Sequence, residues 1–166
     1  MGMVIGHELT HGFDNTGQQY NAQGILAPWW TQGSQDNFTN KTTCFQNQYS
    51  QYQVFGMNIN GKNTLGENIA DNGGVKISFQ AYKQQGIEQL LPALPYTPDQ
   101  LFFISFGQVW CSLLTPAGIE TSIQSDPHSP GPYRVIGALQ NSEEFATAFN
   151  CPSQSYMNPT NKCVLW

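Results

Sequence analysis

Leu101, Ile104, Phe106 and Val109 recur at the spacing of one helical face, and Thr97-Pro98-Asp99 marks a helix start just before them. A mostly buried helix is therefore predicted from there to about Leu114. Longer helices are expected from about Ser34 to Phe55, with the polar run Gln46 to Gln53 as a solvated face, and from Thr64 to about Gln85. A shorter one should run from Pro116 to about Ser125, and Ser142-Glu143-Glu144 opens a last one to Phe149. Between them, Gln18 to Leu26 reads as extended, closed by Pro28, and Asn58 to Asn63 as a loop. Leu90 to Pro98 is a second loop. Residues 126–132 should hold no regular structure, because their prolines remove donors and fix φ. At the front, Met1 to Gly6 leads into a helix that Gly12 and Asp14-Asn15-Thr16-Gly17 terminate. Gly2 and Gly6, four apart, imply close packing against another element. The pattern is mainly α with a small extended part, an α+β chain without internal repeats.

Composition narrows this picture. The chain has 166 residues, 39% hydrophobic and 13% aromatic, enough for one domain with a real core. Its six cations are scattered and include a single arginine against eleven acids, which excludes a nucleic-acid footprint. The longest apolar stretches, such as Leu101 to Ile104, encode neither a transmembrane helix nor a secretory signal. Cys44, Cys111, Cys151 and Cys163 lack C-x-x-C spacing, which argues against a thiolate zinc site. Sequons at Asn37-Phe38-Thr39 and Asn40-Lys41-Thr42 fit an oxidising, extracellular setting.

The candidate chemistry lies in His7-Glu8-Leu9-Thr10-His11. On a helix His7 and His11 project from one face and can hold one ion, while Glu8 can face a water beside it. A catalytic zinc needs a third protein ligand. The extended H-E-x-x-H-x-x-G-x-x-H pattern is excluded, since Asp14 and Gly17 stand at its further positions. No other glutamate precedes Glu67, which becomes the first candidate by elimination. Glu67 and Asp71 lie four apart on one helical face, so one can bind the metal while the other holds an imidazole N–H. Without a cation the same pair would be an exposed acidic face.

These residues resemble a family. His-Glu-Leu-Thr-His-Gly-Phe-Asp with Gly66-Glu67-Asn68-Ile69-Ala70-Asp71 looks like the neprilysin and endothelin-converting-enzyme family of zinc metalloendopeptidases, peptidase family M13. The resemblance continues through Gln108-Val109-Trp110-Cys111, Ser125 to Pro130, Arg134-Val135, Gln140-Asn141-Ser142 and Tyr156 to Pro159. It ends at Cys163-x-x-Trp166. It spans the whole chain, with its motifs in order.

The resemblance implies a thermolysin-like zincin catalytic portion over residues 1–166, binding one Zn2+ per chain through His7, His11 and Glu67. It implies Glu8 as general base, Asp71 as partner of a zinc-bound histidine, and Asp14 as partner of the other or simply a turn former. His128 would stabilise the oxyanion and Arg134 would bind a carbonyl of the peptide substrate. Val109 and Trp110 would lie near the pocket for the side chain after the cleaved bond, or form ordinary helix core. Cys44 and Cys163 should pair, leaving Cys111 and Cys151 unpaired because their family partners lie upstream. Asn37 and Asn40 would carry glycans on an extracellular or cell-surface ectodomain.

The family's membrane anchor, its helical roof and its Asn-Ala-x-Tyr segment have no counterpart in these residues, so an N-terminally truncated catalytic portion is expected. Its missing partner would be the upstream part of the ectodomain. The alternative is an inactive fragment that binds zinc or a partner without cleaving. A Glu-ligated aminopeptidase would need a site for a free peptide amine, and no acidic motif signals one.

Overall fold

The structure, a computed structural model, describes residues 1–86 and 89–165. Helix α1 (Gly2–His11) leads through a 3-10 turn (Gly17–Gln19) to α2 (Gln32–Ser50), and a two-stranded antiparallel hairpin follows. Its strands β1 (Gln53–Val54) and β2 (Met57–Asn58) pair Gln53 with Asn58 and Val54 with Met57. Then come α3 (Leu65–Lys83), α4 (Pro98–Val109), α5 (Pro116–Ser125), α6 (Gly131–Gln140) and α7 (Glu143–Ala148). This is the mainly helical, thermolysin-like arrangement that the sequence and its resemblance imply.

Helix α3 is the axis of the fold. On one side, α2 and the C-terminal segment close a core around Phe45, Tyr49, Ile69 and Leu165. On the other, α1, α4 and α6 close a second core around Met3, Val75, Phe103, Phe106 and Leu139. Each large apolar side chain buried in these cores contributes about 1.5–3 kcal/mol by leaving water. Cys44 on α2 is joined to Cys163 by a disulfide with Cα atoms 5.6 Å apart, while Cys111 and Cys151 are free.

Small residues bring α1 onto α3. A Cβ on Gly74 would stand 2.7 Å from the Met3 carbonyl oxygen and 2.8 Å from the His7 nitrogen, closer than real contacts allow. A Cβ on Gly6 would stand 3.1 Å from the Gly74 backbone, and the Thr10 side chain fills the hollow above Gly73. The partner implied by Gly2 and Gly6 is thus α3, and Gly6 is the tight contact. A Cβ on Gly2 would meet only the Ser78 Cβ, at an ordinary 3.7 Å.

The structure differs from the sequence expectations at several places. Helix α2 stops at Ser50, not Phe55, because Phe55 (φ 50°) and Gly56 (φ 79°) both adopt the left-handed backbone of a two-residue hairpin turn. The stretch from Gln18 to Leu26 is not a strand. It holds the end of the 3-10 turn and a single Tyr20–Leu26 bridge. Helix α4 ends at Val109, short of Leu114, and buries Phe103 and Phe106 while Val109 and Leu114 stay exposed. Helix α6 was absent from the pattern, and its first residues, Gly131 and Pro132, fall in the stretch expected to be irregular. Pro132 is compatible with the first turn because no intrahelical donor is needed there. Trp166, the last residue of the terminal motif, lies outside the described residues.

Candidate metal centre

His7 and His11 leave α1 on the same face, and their Nε2 atoms stand 3.0 Å apart. Glu67, in the first turn of α3, brings Oε2 to 3.2 Å from His7 Nε2 and 3.5 Å from His11 Nε2. The glycine contact between the two helices sets this distance, since it draws the backbone of His7 against Gly74. Together the three side chains offer one ligand atom each, all within 4.8 Å of one another.

Each imidazole is tethered at its other nitrogen. His7 Nδ1 donates to Asp71 Oδ1 at 2.9 Å and His11 Nδ1 to Asp14 Oδ2 at 2.7 Å. With Nδ1 carrying the proton, each Nε2 presents a lone pair. With both rings neutral, two lone pairs 3.0 Å apart facing a carboxylate repel, and a metal ion among them, or a proton on one ring, relieves that repulsion. Glu67 Oε2 is buried and faces the Nε2 atoms of His7, His128 and His11 at 3.2, 3.2 and 3.5 Å. A buried carboxylate oxygen beside two aimed imidazoles is the donor set of a metal site built from two histidines and one glutamate, with room for a fourth ligand in a tetrahedral shell. The residues therefore fit a zinc ion.

Asp14 makes both kinds of contact that the sequence left open. Its Oδ2 holds His11, while Oδ1 accepts from the backbone N–H groups of Thr16 and Gly17, each at 2.7 Å, and so builds the turn. Gly17 is required in that turn because a Cβ there would stand 1.9 Å from the His11 carbonyl oxygen.

Asp71 is fully buried on α3 and is shared. Arg134 of α6 donates from Nε to Oδ2 at 2.8 Å and from its NH2 nitrogen to Oδ1 at 2.7 Å, the bidentate geometry that a guanidinium allows. Trp110 underlies this arginine, with the guanidinium carbon 3.7 Å from the ring centroid. Val109 is exposed beside it and does not form helix core.

His128 brings Nε2 to 3.2 Å from Glu67 Oε2, and its Nδ1 bonds to Asp126 Oδ1 at 2.8 Å. Asp126, which sequence reasoning missed, thus stands to His128 as Asp71 does to His7. The only signal for it was its position two residues before a histidine in a proline-rich turn. Glu8 lies on the exposed side of α1, and among the described residues no hydrogen bond or ion pair holds it. Asn37 and Asn40 are exposed on α2, apart from this cluster.

The charges act on one another. Burial, the largest single influence, works against protonation of His7. The bonds to Asp71 and Glu67 and the charge of Asp71 outweigh it and raise the ring to about 9. For Glu67 burial works upward, yet the bond to His7 and the nearby imidazoles win and hold its carboxyl below the usual range. The backbone N–H of His128, ahead of its side chain, lowers Asp126 as well.

A His-Glu-x-x-His helix facing a glutamate one helix away defines the glutamate-ligated class of metal hydrolases. The model of peptidase family M13 matches residues 1–165, and the chain belongs to that family. It is 51% identical over 170 residues to endothelin-converting enzyme 1 of Rattus norvegicus, an alignment covering 100% of this chain and 22% of that protein. To neprilysin of Oryctolagus cuniculus it is 50% identical over 173 residues, covering 100% and 23%. Among solved structures it superimposes on a Mycobacterium tuberculosis zinc metalloprotease in complex with inhibitor. The TM-score is 0.91 at 30% identity, covering 99% of this chain and 26% of that one. The chain thus spans 22–23% of the length of these curated relatives.

Proposed function

We propose that residues 1–166 form the C-terminal catalytic portion of a zinc metalloendopeptidase that hydrolyses small peptides, with one zinc ion held by His7, His11 and Glu67. The observation that carries this reading is the convergence of those three ligand atoms within 4.8 Å, with both Nδ1 atoms anchored on carboxylates. Membership of family M13 and likeness to a zinc metalloprotease support zinc as the ion.

Zinc, when bound, supplies Lewis acidity and lowers the pKa of a water molecule. Glu8, unheld by any neighbour among the described residues, accepts a proton from the attacking water and returns it to the leaving amine. Asp71 and Asp14 keep the proton on Nδ1 of His7 and His11, so that both rings present Nε2. Asp126 holds Nδ1 of His128 and so turns its Nε2 toward the site, where the ring meets the developing oxyanion. Arg134 has five donors and uses two groups on Asp71, which leaves others for a carbonyl of the substrate. Exposed Val109 and the Trp110 ring offer an apolar wall to the side chain after the cleaved bond.

The Cys44–Cys163 disulfide and the exposed sequon residues Asn37 and Asn40 support an extracellular or cell-surface setting, with both asparagines as glycan acceptors. No helix among the described residues is long and apolar enough to cross a membrane.

A second reading is a fragment that binds zinc but does not cleave. It is favoured by the open apolar face of Ile5, Leu9 and Val109 in a chain spanning 22% of its relative, a surface suited to the upstream ectodomain. We accordingly expect weak or no cleavage by residues 1–166 alone. The test is to graft these residues into the matching segment of endothelin-converting enzyme 1. Peptide cleavage by the chimera, abolished by Glu8→Gln with zinc content unchanged, is the expected result. A chimera that holds zinc and folds yet cleaves nothing favours the second reading.

A further inference from the structure

Helix α3 reaches the site through Glu67 and Asp71, and between them Asn68 points elsewhere. Its side chain is fully buried. Asn68 Nδ2 donates to Thr64 Oγ1 at 2.8 Å, which fixes the amide, and its Oδ1 accepts from Ser129 Oγ at 2.7 Å. Ser129 is itself buried at 3% exposure and is the neighbour of His128. A second pin lies at the other end of the same loop, where Asn63 Nδ2 donates to the Asp126 carbonyl oxygen at 3.0 Å. Asp126 in turn accepts from both the backbone and the ring of His128.

The loop before α6 is therefore fastened on both sides of His128, by Asn68 in the first turn of the helix that carries Glu67 and by Asn63 in the turn just before that helix. Helix α6 begins just beyond, with the Pro130 carbonyl accepting from Arg134 N at 3.2 Å. His128 is 43% exposed at its side chain, so burial alone does not hold it. Polar fasteners have to do so.

We propose that the Ser129–Asn68 hydrogen bond, with Asn63–Asp126 as its outer partner, is a latch that sets His128 in register with Glu67, making Ser129 and Asn68 positioning residues. What His128 is positioned to do rests on the peptidase reading above; the latch itself does not. A loop tied to the glutamate helix keeps a constant offset between the oxyanion donor and the metal ligand when the rest of the loop moves. Removing the hydroxyl leaves Asn68 Oδ1 buried without a donor, and the loop is released.

Two measurements on the full chain test this. In the metal-free protein, NMR cross-peaks between the His128 ring and the Glu67 side chain should weaken in Ser129→Ala and, to a smaller degree, in Asn63→Ala, whose site is exposed and tolerant. Undiminished cross-peaks in both variants overturn the latch, whether or not the chain binds zinc. In the zinc-loaded protein, a phosphonate dipeptide analogue should bind Ser129→Ala about tenfold more weakly, a part of what loss of an oxyanion donor costs. Zinc content should stay unchanged. In a His128→Ala background, adding Ser129→Ala should cost nothing further, because the serine acts through the histidine. A full additive loss in that background also overturns the proposal. Failure of the wild-type chain to bind zinc would instead count against the peptidase reading.

Discussion

Asp71 Oδ1 accepts from both His7 Nδ1, at 2.9 Å, and the Arg134 NH2 nitrogen, at 2.7 Å. One buried oxygen thus joins a ring proposed to bind the metal to the arginine proposed to hold substrate. Replacing Asp71 by Ala removes both links. Zinc affinity should fall roughly 10- to 100-fold, as for other groups that orient a metal-binding histidine. The buried guanidinium left without its partner should also cost about 3–5 kcal/mol of stability. Chelator competition and urea unfolding measure the two effects separately.

The contact between α1 and α3 makes a second demand. Gly74→Ala puts a methyl group 2.7 Å from the Met3 carbonyl oxygen and 2.8 Å from the His7 nitrogen, both backbone atoms. Because neither can rotate away, the helices must separate, at a cost of about 1–3 kcal/mol. His7 and Glu67 then move apart, so zinc affinity should fall together with stability. Gly2→Ala, which meets only a Cβ at 3.7 Å, should change neither.

Acidity gives a third expectation. In the metal-stripped chain His7 is raised from an ordinary 6.5 to about 9. A raised histidine stabilises the fold fully below its unfolded value and loses that contribution as pH climbs through the folded value. The metal-free protein should therefore lose stability between pH 6.5 and about 9. Zinc needs the deprotonated ring, so its apparent affinity should strengthen over the same window, by about tenfold per pH unit. Thermal scans and zinc titrations across that range would detect opposite trends.

The Cys44–Cys163 bridge joins residues 119 apart in sequence and ties the C-terminal segment to α2. Removing it through Cys44→Ser with Cys163→Ser should cost about 2–5 kcal/mol. Cys163 N also donates to Asn141 Oδ1 at 2.9 Å, and the Asn141 amide reaches Asn72 on α3. Denaturant unfolding with and without the bridge checks the magnitude.

Local spacing carried much of the site. Two histidines four apart on a helix, and a glutamate and an aspartate four apart on another, are readable because helical periodicity alone puts each pair on one face. Which carboxylate takes which role needed the crossing of α1 on α3, which a glycine pattern hints at but does not fix. The latch at Asn68 and Ser129 joins residues far apart in sequence, so no local pattern could reveal it. Helix α6 was hidden by prolines that are compatible with a first turn, and the hairpin by a phenylalanine in a left-handed conformation. Tertiary packing of Ala138 and Leu139 decided what propensity left open in α6, whereas the hairpin is a local turn at exposed Phe55.

That two imidazoles and the Glu67 carboxylate grip one ion is tested most directly by zinc binding to the wild-type chain and to Glu67→Ala. One tightly held zinc per wild-type chain is expected, and loss of that zinc from the folded variant at concentrations that saturate the wild type. Equal stoichiometry and affinity in the two proteins would contradict the assignment.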